Sequence, residues 1–204
     1  MIAIIDYGLG NLRSVAGAVE KVGHRPIISN KLEDLEAADK LILPGVGAFG
    51  DGMKNLHQLG LVEPLTELVI KQGKPILGIC LGAQLMAKES FEFGHYQGLG
   101  WLDASVVRIE ANSDSLRIPH VGWNNLIPVR SSTLLAGIPS DALFYYVHSF
   151  HIKCHNPEIA VGECEYGMRF VSVLEKGNIF ATQFHPEKSQ RQGLNLLTNF
   201  LERC

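Results

Sequence analysis

The chain has 204 residues, 46% of them hydrophobic, and a formal net charge of -3. That length suits one domain, residues 1–204, with a full two-sided core. The mild acidity and the absence of any Lys/Arg run exclude a nucleic-acid footprint, and no stretch approaches the ~18 consecutive apolar residues of a membrane helix.

Four scattered cysteines, Cys80, Cys154, Cys164 and Cys204, make no disulfide framework. The opening MIAIIDYG is broken by Asp6 too early to be a signal peptide. A reducing cytoplasm is therefore the expected location, and there a free thiol stays available for chemistry.

Ile2–Ile5 is an apolar, β-branched run and predicts a strand. Helical spacing through Leu12, Val15, Ala16, Val19 and Val22 predicts a helix over 11–22. Short strands follow at 26–29 and 40–43, the second stopped by Pro44. PGVGAFGDG (44–52) reads as a Gly-rich loop. Residues 61–71 read as a helix stopped by Gly73, 75–79 as a strand buried on both faces, and 81–89 as a helix.

After Gly98 the rhythm changes to short strands, at 105–109, 125–128, 143–147, 159–164, 170–175 and 178–182. Lys176-Gly177 makes a hairpin turn. Residues 189–204 form an amphipathic helix with Leu194, Leu197, Phe200 and Leu201 on one side. The fold class is α/β, a mostly parallel central sheet flanked by helices with a hairpin-rich second half.

GICLG (78–82) stands where a buried strand turns into a helix. Glycines two residues before and after Cys80 let strand and helix approach closely, the pattern of a nucleophile elbow with Cys for Ser. A thiol there faces backbone N–H groups that favour thiolate, and the Leu81 amide would face an oxyanion on an attacked carbonyl. A buried structural cysteine is the alternative.

A thiolate needs a base, and the base needs an orienter. QFHPEK (183–188) follows an apolar strand. His185 and Glu187, two apart in an extended segment, point to one side, with Pro186 stiffening the geometry. The carboxylate would fix the imidazole tautomer.

His148, His151, Cys154 and His155 alternate faces on a strand, so they do not converge as a tetrahedral zinc site requires. DYGLGNLR (6–13) lacks the third glycine of a dinucleotide fingerprint and reads as a turn and helix start. No metal or cofactor is expected.

GICLGAQL (78–85) with FHPE (184–187) resembles the class I, triad-type glutamine amidotransferases. IDYGLGNLRSV (5–15), LPGVGAFGDGM (43–53), PHVGWN (119–124), YYVHSF (145–150) and TQFHPEKSQ (182–190) narrow the resemblance to the glutaminase subunits of imidazole glycerol phosphate synthase. The likeness covers effectively the whole chain.

The resemblance implies that Cys80 attacks the carboxamide of glutamine, with His185 as base and Glu187 as orienter. The loop of Gly45, Val46 and Gly47 matches the family's oxyanion strand, so Val46 and Gly47 join Leu81 in the oxyanion hole. Gly45, Gln84, Glu92, Tyr146, His148 and Ser149 would surround the substrate.

No room is left for an ammonia acceptor, so a (β/α)8-barrel cyclase partner is implied, met through His120, Trp123, Asn124, Tyr145 and Lys188. From the residues alone, Trp123 in PHVGWN is either an interface anchor or a core tryptophan in a tight turn. Ala83, Phe91 and the Trp101 of GLGWLDA depart from the family's usual residues. They leave the triad intact and leave the acceptor open between the histidine pathway and surface-polysaccharide sugars.

Overall fold

Ile76–Cys80 (β4) is buried at every position, because it lies inside the sheet with a parallel neighbour on each side. Those neighbours are Lys40–Gly45 (β3) and Ile179–Thr182. The computed structural model describes residues 1–110 and 116–204. Ile2–Ile5 (β1) and Pro26–Ser29 (β2) continue the parallel half, in the order β2-β1-β3-β4 with Ile179–Thr182 next.

Beyond Ile179–Thr182 the pairing turns antiparallel through Arg169–Lys176, Phe150–Cys154 and Leu102–Arg108. Ala87–Ser90 then pairs parallel to Leu102–Arg108, and Tyr96–Gln97 closes that edge. Ala160–Glu165 lies alongside Arg169–Lys176. His120–Asn125 and Leu143–His148 form a separate antiparallel ribbon. The chain is thus α/β, parallel in its first half and hairpin-rich in its second.

Strand alternation builds two cores, one on each face. Ala3, Ile5, Leu41 and Leu43 pack with Phe49, Leu56 and Leu85 on one side. Ile2, Ile4, Ile42, Leu77 and Ile79 pack with Val15, Val19, Phe180 and Phe200 on the other. Helix Leu12–Lys21 (α1) and helix Gln190–Arg203 cover the second face, each with its apolar stripe inward.

Several elements differ from the sequence reading, among them the strand Phe150–Cys154, which that reading lacks. The Gly-rich loop ends at Ala48, and Phe49–Gln58 is a helix burying Phe49, Gly52, Met53 and Leu56. Leu32–Ala37 is a short helix. The helix expected over 81–89 stops at Leu85, and Ala87–Ser90 becomes a strand. Within PHVGWN, residues from His120 on are strand rather than a tight turn, since His120–Asn125 pairs along the whole length of Leu143–His148.

Candidate active site

Gly45 pairs with Cys80, and Thr182 with Ile79. Three adjacent parallel strands therefore end together, and the segments leaving them (the 45–47 loop, the elbow and the 183–188 turn) share the carboxyl edge of the sheet. Crevices at this edge are where open α/β sheets place their ligand sites.

Cys80 has φ 54° and ψ -111°, a strained backbone for a residue with a side chain. Its flanking glycines are steric requirements. A Cβ at Gly82 would lie 1.8 Å from the Leu43 carbonyl oxygen, and one at Gly78 would lie 2.7 Å from Ala83 Cα. The helix after the elbow, Leu81–Leu85, has five residues.

His185 and Glu187 meet across a 3₁₀ turn, Pro186–Lys188, instead of along an extended segment. His185 Nδ1 donates to Glu187 Oε1 at 2.8 Å, and both side chains are buried. The backbone is pinned by His185 N–H to the Tyr145 carbonyl (3.0 Å) and by Ser189 Oγ to the His185 carbonyl (2.6 Å). Burial alone would lower the imidazole pKa. The approach of Cys80 and the bond to Glu187 outweigh it and raise the pKa to about 10. Nε2, the ring nitrogen not bound to Glu187, has no hydrogen-bond partner among the described residues.

A pocket of about 310 Å³ opens beside the thiol. Val46, Gly47, Cys80, Leu81, Gln84, Glu92, Val147, His148, Ser149, Phe150 and Lys188 line it. Gln84 Nε2 donates to the Phe150 carbonyl (2.9 Å) and to Gln183 Oε1 (3.0 Å). Glu92 accepts the Phe49 amide at 2.7 Å, and burial raises its carboxyl pKa. A larger groove of about 700 Å³ lies elsewhere, against Arg108, His151 and Cys154. Burial pushes its thiol up to about 12, so it offers no comparable nucleophile.

The model of the family described as "Glutamine amidotransferase class-I" matches residues 3–204. The chain belongs to that family. Among curated amidotransferases it is 51% identical over 201 residues to "Imidazole glycerol phosphate synthase subunit HisH 1" of Campylobacter jejuni (strain RM1221), covering 98% of this chain and 99% of that one. It is 44% identical over 202 residues to "Imidazole glycerol phosphate synthase subunit HisH 2" of Pseudomonas aeruginosa, covering 99% of both. A solved structure titled "Crystal structure of glutamine amidotransferase" superposes with a TM-score of 0.73 at 23% identity, over 99% of this chain and 98% of that one. That likeness shows the fold.

Two of the residues expected around an amidotransferase substrate stand apart from the pocket wall. Gly45 lies beneath the elbow, where a Cβ would come within 2.2 Å of Tyr7 Oη. Tyr146 points into the core, and its hydroxyl pairs with Ser172 Oγ at 2.6 Å. Gly47 takes φ +111° with open space around its Cβ position.

The residues expected at a partner face separate into two layers. Val121 and Trp123 are exposed, at 55% and 46%, and Trp123 meets Tyr145 edge-on at 6.0 Å between ring centroids. Lys188 Nζ lies 5.8 Å from the Tyr145 ring centroid while also lining the pocket. Trp123 is therefore not a core tryptophan. His120 is buried on the inner side of the same strand, and Asn124 beside it is half-buried.

Gln183 escaped the sequence reading although it directly precedes FHPE. Its amide Nε2 points at Cys80 Sγ from 3.8 Å. Its adjacency to the motif was the one signal available. His155, once weighed as a zinc ligand, pairs instead with Ser105 and Asp103. Among the described residues no three His, Cys, Asp or Glu side chains are grouped to hold a metal, and no helix is long and apolar enough to cross a membrane.

Proposed function

We propose that the chain is the glutaminase subunit of an imidazole glycerol phosphate synthase, a single glutaminase domain over residues 1–204. It hydrolyses glutamine to glutamate and passes ammonia to a (β/α)8-barrel cyclase partner in histidine biosynthesis. The observation that carries the reading is a strained Cys80 beside a buried, hydrogen-bonded His185–Glu187 pair. The names of relatives at 44–52% identity over almost their full lengths support the acceptor pathway and the need for a partner subunit.

With a pKa near 10, His185 carries the proton at neutral pH, and Glu187 holds its Nδ1–H so that Nε2 faces the chemistry. The Cys80 sulfur attacks the carboxamide carbon. The carbonyl oxygen gains negative charge, met by the Leu81 amide and by an amide of the Val46–Gly47 loop. His185 gives its proton to the nitrogen as the C–N bond breaks, releasing ammonia and leaving a glutamyl thioester. Water then attacks that thioester with His185 as base. The C–S bond breaks with the sulfur leaving as thiolate, glutamate departs, and the thiolate–imidazolium pair is restored.

Gln84, Glu92, His148 and Ser149 form the wall that holds the substrate's amino-acid end. Ammonia leaves past Lys188 and Tyr145 toward the face carrying Trp123. Co-expression with a barrel cyclase, followed by a glutamine-dependent cyclisation assay, tests the reading. Product formation from glutamine is expected. Glutamine hydrolysis that never supports cyclisation, whereas free ammonia does, would overturn the assigned acceptor pathway.

A further inference from the structure

Two buried imidazoles connect the ribbon bearing Trp123 to the pocket, and their hydrogen bonds leave a single self-consistent direction. His148 Nδ1 lies 2.9 Å from the Phe150 carbonyl, which can only accept, so Nδ1 carries the proton. His148 Nε2 is then an acceptor, and its partner at 3.0 Å, His120 Nδ1, is the donor. His120 Nε2 is left to accept from Asn124 Nδ2 at 3.3 Å.

The far end fixes the same direction independently. Asn124 Oδ1 accepts the Asn125 amide at 2.8 Å, and Nδ2 donates to the Glu165 carbonyl at 3.0 Å, so this side-chain amide has one orientation. Both rings are held neutral. Burial lowers His120 to about 4 and His148 to about 3. His120 is also clamped between the rings of Tyr146 and Tyr166, at 4.8 and 4.0 Å.

The chain continues beyond the rings. The Phe150 carbonyl accepts from Gln84 as well as from His148. Gln84 donates to Gln183, and Gln183 Nε2 points at the Cys80 sulfur. His120 and Asn124 sit on the inner side of the strand whose outer side shows Val121 and Trp123.

We infer that His120 is a positioning residue: it locks the tautomer of His148 and thereby aligns the Phe150 carbonyl, Gln84 and Gln183 on Cys80, tying the exposed ribbon to the thiol. Nothing in this role requires His120 to touch substrate. A chain in which every member is paired holds one arrangement, and removing one donor leaves a buried acceptor orphaned. A partner pressing on the outer side of the strand acts on the first two links. The inference rests on the glutaminase reading for its consequence, though not for its geometry.

Two substitutions separate the hydrogen bond from the packing. His120→Phe keeps the ring between the tyrosines and removes the donor. His120→Asn removes the ring and keeps a side-chain N–H near the place of Nδ1. In the complex with the barrel partner, kcat/KM for glutamine should fall about tenfold or more in His120→Phe and recover to within about threefold of the parent in His120→Asn. Thermal stability should rank the other way. Full activity in His120→Phe, or equal losses in both variants, would overturn the inference.

Ring ¹⁵N spectra of the unmodified full chain test the geometry without any assay. Both His120 and His148 should be neutral Nδ1–H tautomers, and an Nε2–H tautomer on His148 would overturn the inference even if neither variant folds. A parent complex inactive on glutamine would instead defeat the function proposed above, leaving the tautomers to be read.

Discussion

His185 Nδ1 and Glu187 Oε1 are 2.8 Å apart inside a single 3₁₀ turn, with both side chains almost wholly buried. The neighbouring Cys80 and this carboxylate two residues away together keep the imidazole charged at neutral pH, and the carboxylate fixes the ring's orientation through Nδ1–H. His185→Ala should lose several orders of magnitude in glutamine turnover with the partner present. Glu187→Gln should lose less, because it removes orientation and charge but leaves the base. Steady-state kinetics of both variants check this, and undiminished turnover in Glu187→Gln would remove the third member from the triad.

The same pair predicts a pH dependence of stability. The folded-state pKa of His185, about 10, lies above the ordinary ~6.5 of an exposed imidazole. Between these values the folded chain binds more protons than the unfolded one, so stability falls as pH rises. The contribution is full below pH ~6.5 and is lost on passing through about 10. Denaturant titrations across this window should show that decline, and Glu187→Gln should flatten it. An unchanged slope would mean that Glu187 does not hold the charge on His185.

The elbow glycines and the loop glycine should respond oppositely to substitution. Gly82→Ala drives a Cβ into the Leu43 carbonyl and should cost at least ~3 kcal/mol of stability. Gly47→Ala meets no neighbour but cannot easily hold φ +111°, so its cost should stay near ~1 kcal/mol. Its effect should fall on glutamine turnover with the partner present instead, because the loop proposed to supply an oxyanion amide would be restricted. Thermal melts beside kcat with and without partner separate the two. Full activity in Gly47→Ala with the partner present would show that turnover does not depend on the backbone freedom of Gly47.

Trp123 is a half-exposed aromatic paired across the ribbon with Tyr145, which suits an interface anchor. Trp123→Ala should weaken binding of the barrel partner by roughly 30-fold or more, the scale of a hot spot, with an unchanged melting temperature for the free chain. Calorimetric titration reads both sides of that statement, and wild-type affinity would move the interface elsewhere.

Local pattern carried much of this structure. Ile2–Ile5 and Pro26–Ser29 have the observed strand bounds, since a β-branched run between turn residues leaves few choices. The elbow was legible because two glycines around a cysteine serve one geometry. Helix Phe49–Gln58 was hidden by Gly50 and Gly52, poor helix formers that are small because Tyr96 and Leu85 press against them. Strand Ala87–Ser90 exists through its pairing with Leu102–Arg108, a tertiary cause that local propensity does not reveal. The His120–His148 contact joins residues 28 apart and follows from ribbon register alone.

Trapping the covalent intermediate tests the central claim most directly. The Cys80 sulfur is the proposed attacking atom, while burial raises the Cys154 and Cys164 thiols to about 12 and Cys204 to about 11. A reaction of the partnered enzyme with glutamine, quenched in acid during turnover and mapped by peptide mass spectrometry, should place the glutamyl adduct on the peptide containing Cys80. The adduct should vanish in Cys80→Ser. A glutamyl adduct on Cys154, Cys164 or Cys204, or sustained glutamine hydrolysis by Cys80→Ser, would contradict the account.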